Sequence, residues 1–189
     1  EPTFGFFSIF GELPEGTPDD SDDSSIFSVV PDPELNRMLT PEWGGEYPLV
    51  TMFGLERGKG RTRRTMTALE VSFFDRVLPW QDTQTGRRGE AYAEYKRRRA
   101  EAVRQRLEEH FPRFRDGLKL LDAATALTFR DYLNAPYGSA YGIKQKAGQI
   151  NLLGRLPIVN LYAAGQCSLL PGVVGAMTSA FLVCRSIFG

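Results

Sequence analysis

The stretch from Val173 to Phe188 carries apolar side chains around most of a helical circumference. A helix of that kind has no polar face to offer water, so it must lie buried between other layers. That requirement constrains the whole chain, which needs material on more than one side of its last element. A membrane span also tolerates such a helix, but it needs about 20 uninterrupted apolar residues. Residues 156–189 are broken by Asn160, Gln166, the Pro171-Gly172 pair and Arg185. The region therefore reads as a buried strand from Leu156 to Ala164, a turn from Gly165 to Gly172, and a buried helix.

Upstream, TFGFFSIF (3–10) reads as a strand closed by Gly11 and Pro14, and SIFSVV (25–30) as a second ending at Pro31. Between them PEGTPDDSDDSS is a loop, without the DxDxDG register or distal Glu of a calcium site. YPLVTMFGLE (47–56) and TMTALEVSFF (65–74) flank the basic, glycine-containing RGKGRTRR and form a hairpin. Gly58-Lys59-Gly60 is not a dinucleotide fingerprint, because Arg63 takes the third glycine position and no apolar helix pattern follows. Glu90 to His110 is the clearest helix, with an apolar stripe of Tyr92, Tyr95, Val103, Leu107 and Phe111 and a stop at Pro112. From Asp122 to Gly142 the pattern is irregular.

Hydrophobic residues make up 42% of the chain, with 13 Phe and 7 Tyr, which excludes a disordered chain. Lys and Arg balance Asp and Glu at 23 each, which argues against a general nucleic-acid binder. The balance hides a segregation: residues 1–50 hold 11 acids and one base, residues 51–115 hold 16 bases and 9 acids. Attraction between these parts within one domain is the favoured reading. The KRRR run at 96–99 suits either an anionic membrane surface or a solvated face with pairs such as Glu94–Arg98, the second being preferred. Cys167 and Cys184 lack CxxC spacing, and His110 is the single histidine, so no metal site is expected. The thiols fit a reducing compartment. Glu1-Pro2-Thr3 has neither the n-region nor the h-region of a signal peptide, and without an initial Met a piece of a longer chain is expected.

The informative segment is PIVNLYAAGQCSLLPGVVGAMTSAFLVCRSI, residues 157–187. A helix opening at Val173 places free N–H groups and the positive dipole end around Val173, Val174 and Gly175. Gly172, Gly175 and Ala176 let a planar ligand approach the backbone. Such a site favours partial negative charge, a phosphate or the carbonyl edge of a flavin. On geometry alone, glycines that serve only close packing explain the segment equally well.

The string NLYAAGQ…LPGVVGAMTSA resembles the C-terminal flavin-contacting motif of the phytoene desaturase, carotenoid isomerase and retinol saturase family. GEAYAEYK, HFP and ATALTFRDYLNAPYGSAYG follow that family's order, so the resemblance covers most of residues 65–189. It implies an α+β chain in two regions: residues 1–145, a mixed or antiparallel substrate-domain sheet with covering helices, and residues 146–189, the closing strand–turn–helix of an FAD-binding Rossmann-like domain. By the same resemblance Ala164, Gly165 and Gln166 lie near the ribityl or pyrophosphate part of FAD. Pro171, Gly172, Val173, Val174 and Gly175 meet the isoalloxazine edge. Thr128, Tyr137 and Tyr141 are candidate walls of an apolar substrate tunnel, or core aromatics in the case of the tyrosines. Gln166 stands where related flavoproteins often carry an acid, and the glycine run after Pro171 is short.

The implied function is a flavin-dependent oxidoreductase acting on a lipophilic, carotenoid- or retinoid-like polyene, with no protein nucleophile and the flavin carrying the electrons. A flavin amine oxidase and a non-catalytic binding or assembly module on the same scaffold are the alternatives. The anchoring G-x-G-x-x-G of a dinucleotide site is absent from these residues. The chain alone is therefore expected to be inactive, to lack an N-terminal FAD-binding half, and to associate with a second copy through its apolar end. The expected location is cytoplasmic, with peripheral membrane contact left open.

Overall fold

The β-prone runs of the first two thirds pair into one sheet. In a computed structural model, which describes residues 3–14, 24–58, 61–115, 117–142, 144, 154–168 and 171–189, the strands are β1 (Gly5–Leu13), β2 (Ser24–Val29), β3 (Leu49–Gly58), β4 (Arg61–Ser72) and β5 (Lys119–Ala124). Their order is β2-β3-β4-β1-β5 and every pairing is antiparallel. The hairpin expected around the basic turn is β3–β4, in register from Leu49↔Glu70 to Gly58↔Arg61. Residues 15–23 of the acidic loop, residues 59–60 of the glycine turn and the expected domain boundary at 145/146 lie outside the described residues.

Alternation along the strands decides which face is covered. Phe7, Ile9 and Leu13 of β1, Leu49 of β3, and Met66 and Ala68 of β4 form one buried cluster. The helices are α1 (Leu35–Met38), α2 (Glu90–His110), α3 (Ala126–Leu133) and α4 (Gly172–Phe188). Helix α2 closes that cluster with Ala100, Val103 and Leu107, and Phe114 and Leu118 follow it in. Each large side chain so buried contributes roughly 1.5–3 kcal/mol. On the other face Phe6, Val71 and Tyr47 gather Phe4, Leu69 and Phe73. Helix α2 has the bounds expected of it, and its C-cap Phe111 donates its N–H to the Leu107 carbonyl before Pro112.

Three local expectations are corrected. The irregular region from Asp122 to Gly142 contains the end of strand β5 and the whole of helix α3. The helix starts at Thr125, whose hydroxyl accepts from Leu127 N–H, while the Thr128 hydroxyl accepts from Thr125 N–H, a reciprocal cap. The strand expected from Leu156 to Ala164 does not form. Leu156 N–H bonds the Leu161 carbonyl, Arg155 bridges Tyr162, and Asn160 takes a left-handed φ of 61°. The chain doubles back on itself there, and an apolar run needs neighbouring strands to become a buried one. Finally, Glu94 pairs with Arg97 rather than Arg98, and the basic run ties the helix to the sheet through Lys96–Asp122 and Arg99–Glu70. Attraction between the acidic and basic parts of the chain is present as Arg106–Glu46 and Arg63–Glu12.

Candidate functional site

The apolar chemistry of α4 asks for burial, and the fold does not supply it. Of its residues only Ser179 and Val183 are buried. Val173 is 79% exposed, Phe181 75% and Phe188 85%, and Val174, Met177 and Ile187 are exposed with them. The helix expected between two layers therefore rests on the protein by one edge and offers a largely apolar surface outward, interrupted by Thr178 and Arg185.

Its start is equally open. Pro171 precedes the helix in an extended conformation and contributes no side-chain cap, and no acid occupies the first turn. The amides that open a helix have no intrahelical partner, so this end keeps its donors and its positive dipole. Gly172 has φ +78°, a conformation that strains any residue with a side chain, and a Cβ there would meet nothing within 4 Å.

The turn before the helix is held by Ser179. Its hydroxyl accepts from Gly165 N–H at 2.6 Å and donates to the Ala176 carbonyl at 2.7 Å. Ser168 returns its hydroxyl to the Gly165 carbonyl at 3.1 Å. Ala164 is exposed at the edge of this turn, and Gln166 is half-buried. The residue pattern does not single out Ser179, although a hydroxyl on the inner edge of an apolar helix is the signal that marks it. The turn of Ala164, Gly165 and Gln166 is thus tied to α4 at Ser179, seven residues past the Gly172 at which the helix opens.

The three substrate candidates are not gathered into one wall. Thr128 uses its hydroxyl in the cap of α3. Tyr137 is exposed, with φ +54°, and meets Phe74 edge-on at 5.5 Å. Tyr141 is also exposed and packs edge-on against Phe4 and Phe6. Of the three, Tyr141 lies nearest the turn: a Cβ on its neighbour Gly142 would stand 2.6 Å from the Gln166 carbonyl oxygen. Backbone contact this close joins the sheet region to the C-terminal region.

The open donors, the absence of acid and the small residues at the start of α4 fit a planar group with a partly negative edge. Among the described residues no three His, Cys, Asp or Glu side chains are placed to hold a metal ion. No helix among them is long and apolar enough to cross a membrane.

Comparison with known proteins bears on the family. The all-trans-retinol 13,14-reductase of Danio rerio is 30% identical over 138 residues, 70% of this chain. Its counterparts in Macaca fascicularis and Homo sapiens are 32% and 31% identical over 131 residues, 66% of the chain. The chain is homologous to all-trans-retinol 13,14-reductases. The resemblance to the desaturase, isomerase and saturase family is thereby shown from the retinol saturase side. The chain spans 22% of the length of these curated relatives. No protein-family model matches it, and no solved structure does.

Proposed function

We propose that this chain is the C-terminal portion of an FAD-dependent oxidoreductase acting on a retinoid- or carotenoid-like polyene, whose double bonds it reduces, introduces or isomerises. One observation carries the reading: an uncapped helix start, open in space, at the head of an apolar helix surface that nothing in the described residues covers. The kinship with retinol reductases, and the small share of their length that this chain spans, support it.

In this reading the remaining portion of the protein supplies a Rossmann-like nucleotide-binding half and covers α4. Gly172, Val173, Val174 and Gly175 hold the isoalloxazine edge through backbone donors, with Pro171 setting the turn. Ala164, Gly165 and Gln166 face the ribityl or pyrophosphate region. Gln166 contributes a neutral amide where an acid would give a charge-assisted bond. The flavin supplies two-electron chemistry when bound. The protein's own part is to orient the polyene and exclude water from it. The antiparallel sheet, with Tyr141 at its junction with the turn and Tyr137 and Thr128 further along, forms the substrate side. Without its remaining portion the chain covers α4 with a second copy. A cytoplasmic location, peripheral to membranes, suits a lipophilic substrate.

Turnover tests the reading. The longer protein, given all-trans-retinol or a carotene together with an electron donor for reduction or an electron acceptor for desaturation, is expected to change the number or geometry of the polyene's double bonds while leaving primary amines untouched. Oxidation of amines with no polyene product would move the assignment to the amine oxidases. No turnover of either class, in a protein that carries no flavin, would leave a binding or assembly module.

A further inference from the structure

Strand β4 turns Met66, Ala68 and Glu70 toward α2, so a carboxylate arrives where the alternation calls for an apolar side chain. Arg99 and Arg106 are two helical turns apart on α2 and therefore share a face. Both donate to Glu70: Arg106 Nη1 lies 3.0 Å from one carboxylate oxygen, and Arg99 Nη2 takes the other. Arg106 is only 7% exposed, and its Nη2 has no partner. Its Nε lies 3.0 Å from a Glu46 oxygen without the geometry of a hydrogen bond. A buried donor left in that state costs about 1–3 kcal/mol.

These groups line a cleft of about 790 Å³ between α2, the end of β4 and the loop at 43–47. Arg76 enters from the 3₁₀ turn after β4, and Gln105 stands beside Arg106. Three guanidinium groups, of Arg76, Arg99 and Arg106, and three carboxylates, of Glu46, Glu70 and Glu109, line this space, and Glu70 at its floor already serves two of the arginines. Both Glu70 oxygens are engaged by guanidinium groups, whereas Arg106 Nε and Nη2 lack hydrogen-bond partners and are closed off from solvent, with a Glu46 oxygen lying 3.0 Å from Nε. Glu46, whose side chain is 62% exposed, reaches Arg106 from the rim and can swing away.

We propose that this cleft binds a small oxyanion, a phosphate or carboxylate group, between Arg106, Arg99 and Arg76, and that Glu46 holds the place in its absence. The site is independent of the flavin reading and stands even if that reading fails. Guanidinium forks match either anion in two-point geometry.

Thermal unfolding of the 189-residue chain tests it, with inorganic phosphate and citrate titrated separately against sodium chloride at matched ionic strength. The expected result is a saturable rise in Tm with one or both anions beyond the chloride control. The anion that binds more tightly tells phosphate from carboxylate. The variant Arg76→Gln, at a half-exposed position, removes the charge while keeping an amide donor toward Tyr47, and is expected to weaken binding about tenfold or more. Glu46→Gln, which removes the competing carboxylate, is expected to tighten it. A response equal to that of chloride would overturn the proposal. So would saturable binding unchanged in both variants, the mark of an adventitious ion only.

Discussion

Replacing Glu70 with alanine is expected to lower the stability of the chain by about 3–5 kcal/mol, measured by urea denaturation. Glu70 is 3% exposed, and Arg99 and Arg106 converge on it. Removing the acid strands the Arg106 guanidinium in the interface between α2 and the sheet, with its remaining ion pair reaching only to the rim residue Glu46 among the described residues. The loss is that of an uncompensated buried charge, larger than any one hydrogen bond. Glu70→Gln keeps the shape and some of the bonding, so it should cost less. The double variant Glu70→Leu with Arg106→Met removes both charges and should recover most of the stability. A cost below about 1 kcal/mol for Glu70→Ala would show that the pair does not latch the helix to the sheet. The pH dependence has a definite sign. Burial pushes the Glu70 carboxyl above the usual carboxylate range, and the two arginines pull it back only in part. The folded state therefore binds this proton more tightly than the unfolded chain. Its contribution to stability should grow as pH falls from that raised value toward the ordinary one, and Glu70→Gln should remove that gain.

The second large effect concerns the opening of α4. Val173→Asp is expected to leave the stability of the chain alone within about 0.5 kcal/mol, because the side chain is 79% exposed there. An acid in the first turn even suits the helix dipole. In the longer protein the same change buries a carboxylate beside the partly negative edge of the flavin. It is expected to weaken flavin retention by roughly 100-fold, the equivalent of about 2.7 kcal/mol. The flavin-to-protein ratio after gel filtration checks this, with urea denaturation of the shorter chain as the control. Full flavin content in the variant would place the cofactor elsewhere.

The hairpin and α2 were legible because their signals are local. β-branched and aromatic runs flank a glycine turn, and a near-helical stripe ends at proline. Strand β5 was hidden because KLLDAA is short, with Leu121 and Asp122 exposed at a sheet edge. Helix α3 was hidden because Thr, Phe and Tyr in ALTFRDYL favour strands, and its cap uses Thr128 in place of Glu or Gln. The run from Leu156 to Ala164 misled in the opposite sense. Its apolar content matched a buried strand, but strand pairing is a long-range property that Asn160 and the Arg155–Tyr162 bridge replace with a local reversal. For α4 the pattern identified the helix and its need for cover, but not what covers it. The site was legible as a turn and a helix start. Ser179, which binds them together, was not, because its partner Gly165 lies 14 residues earlier in the chain.

The purified longer protein, washed free of loosely held small molecules and examined by visible absorbance beside this chain alone, puts the central claim to its most direct trial. A yellow protein carrying about one flavin per chain, next to a colourless shorter chain, is the predicted result. Stoichiometric flavin on the short chain, or none on the long one, would contradict it.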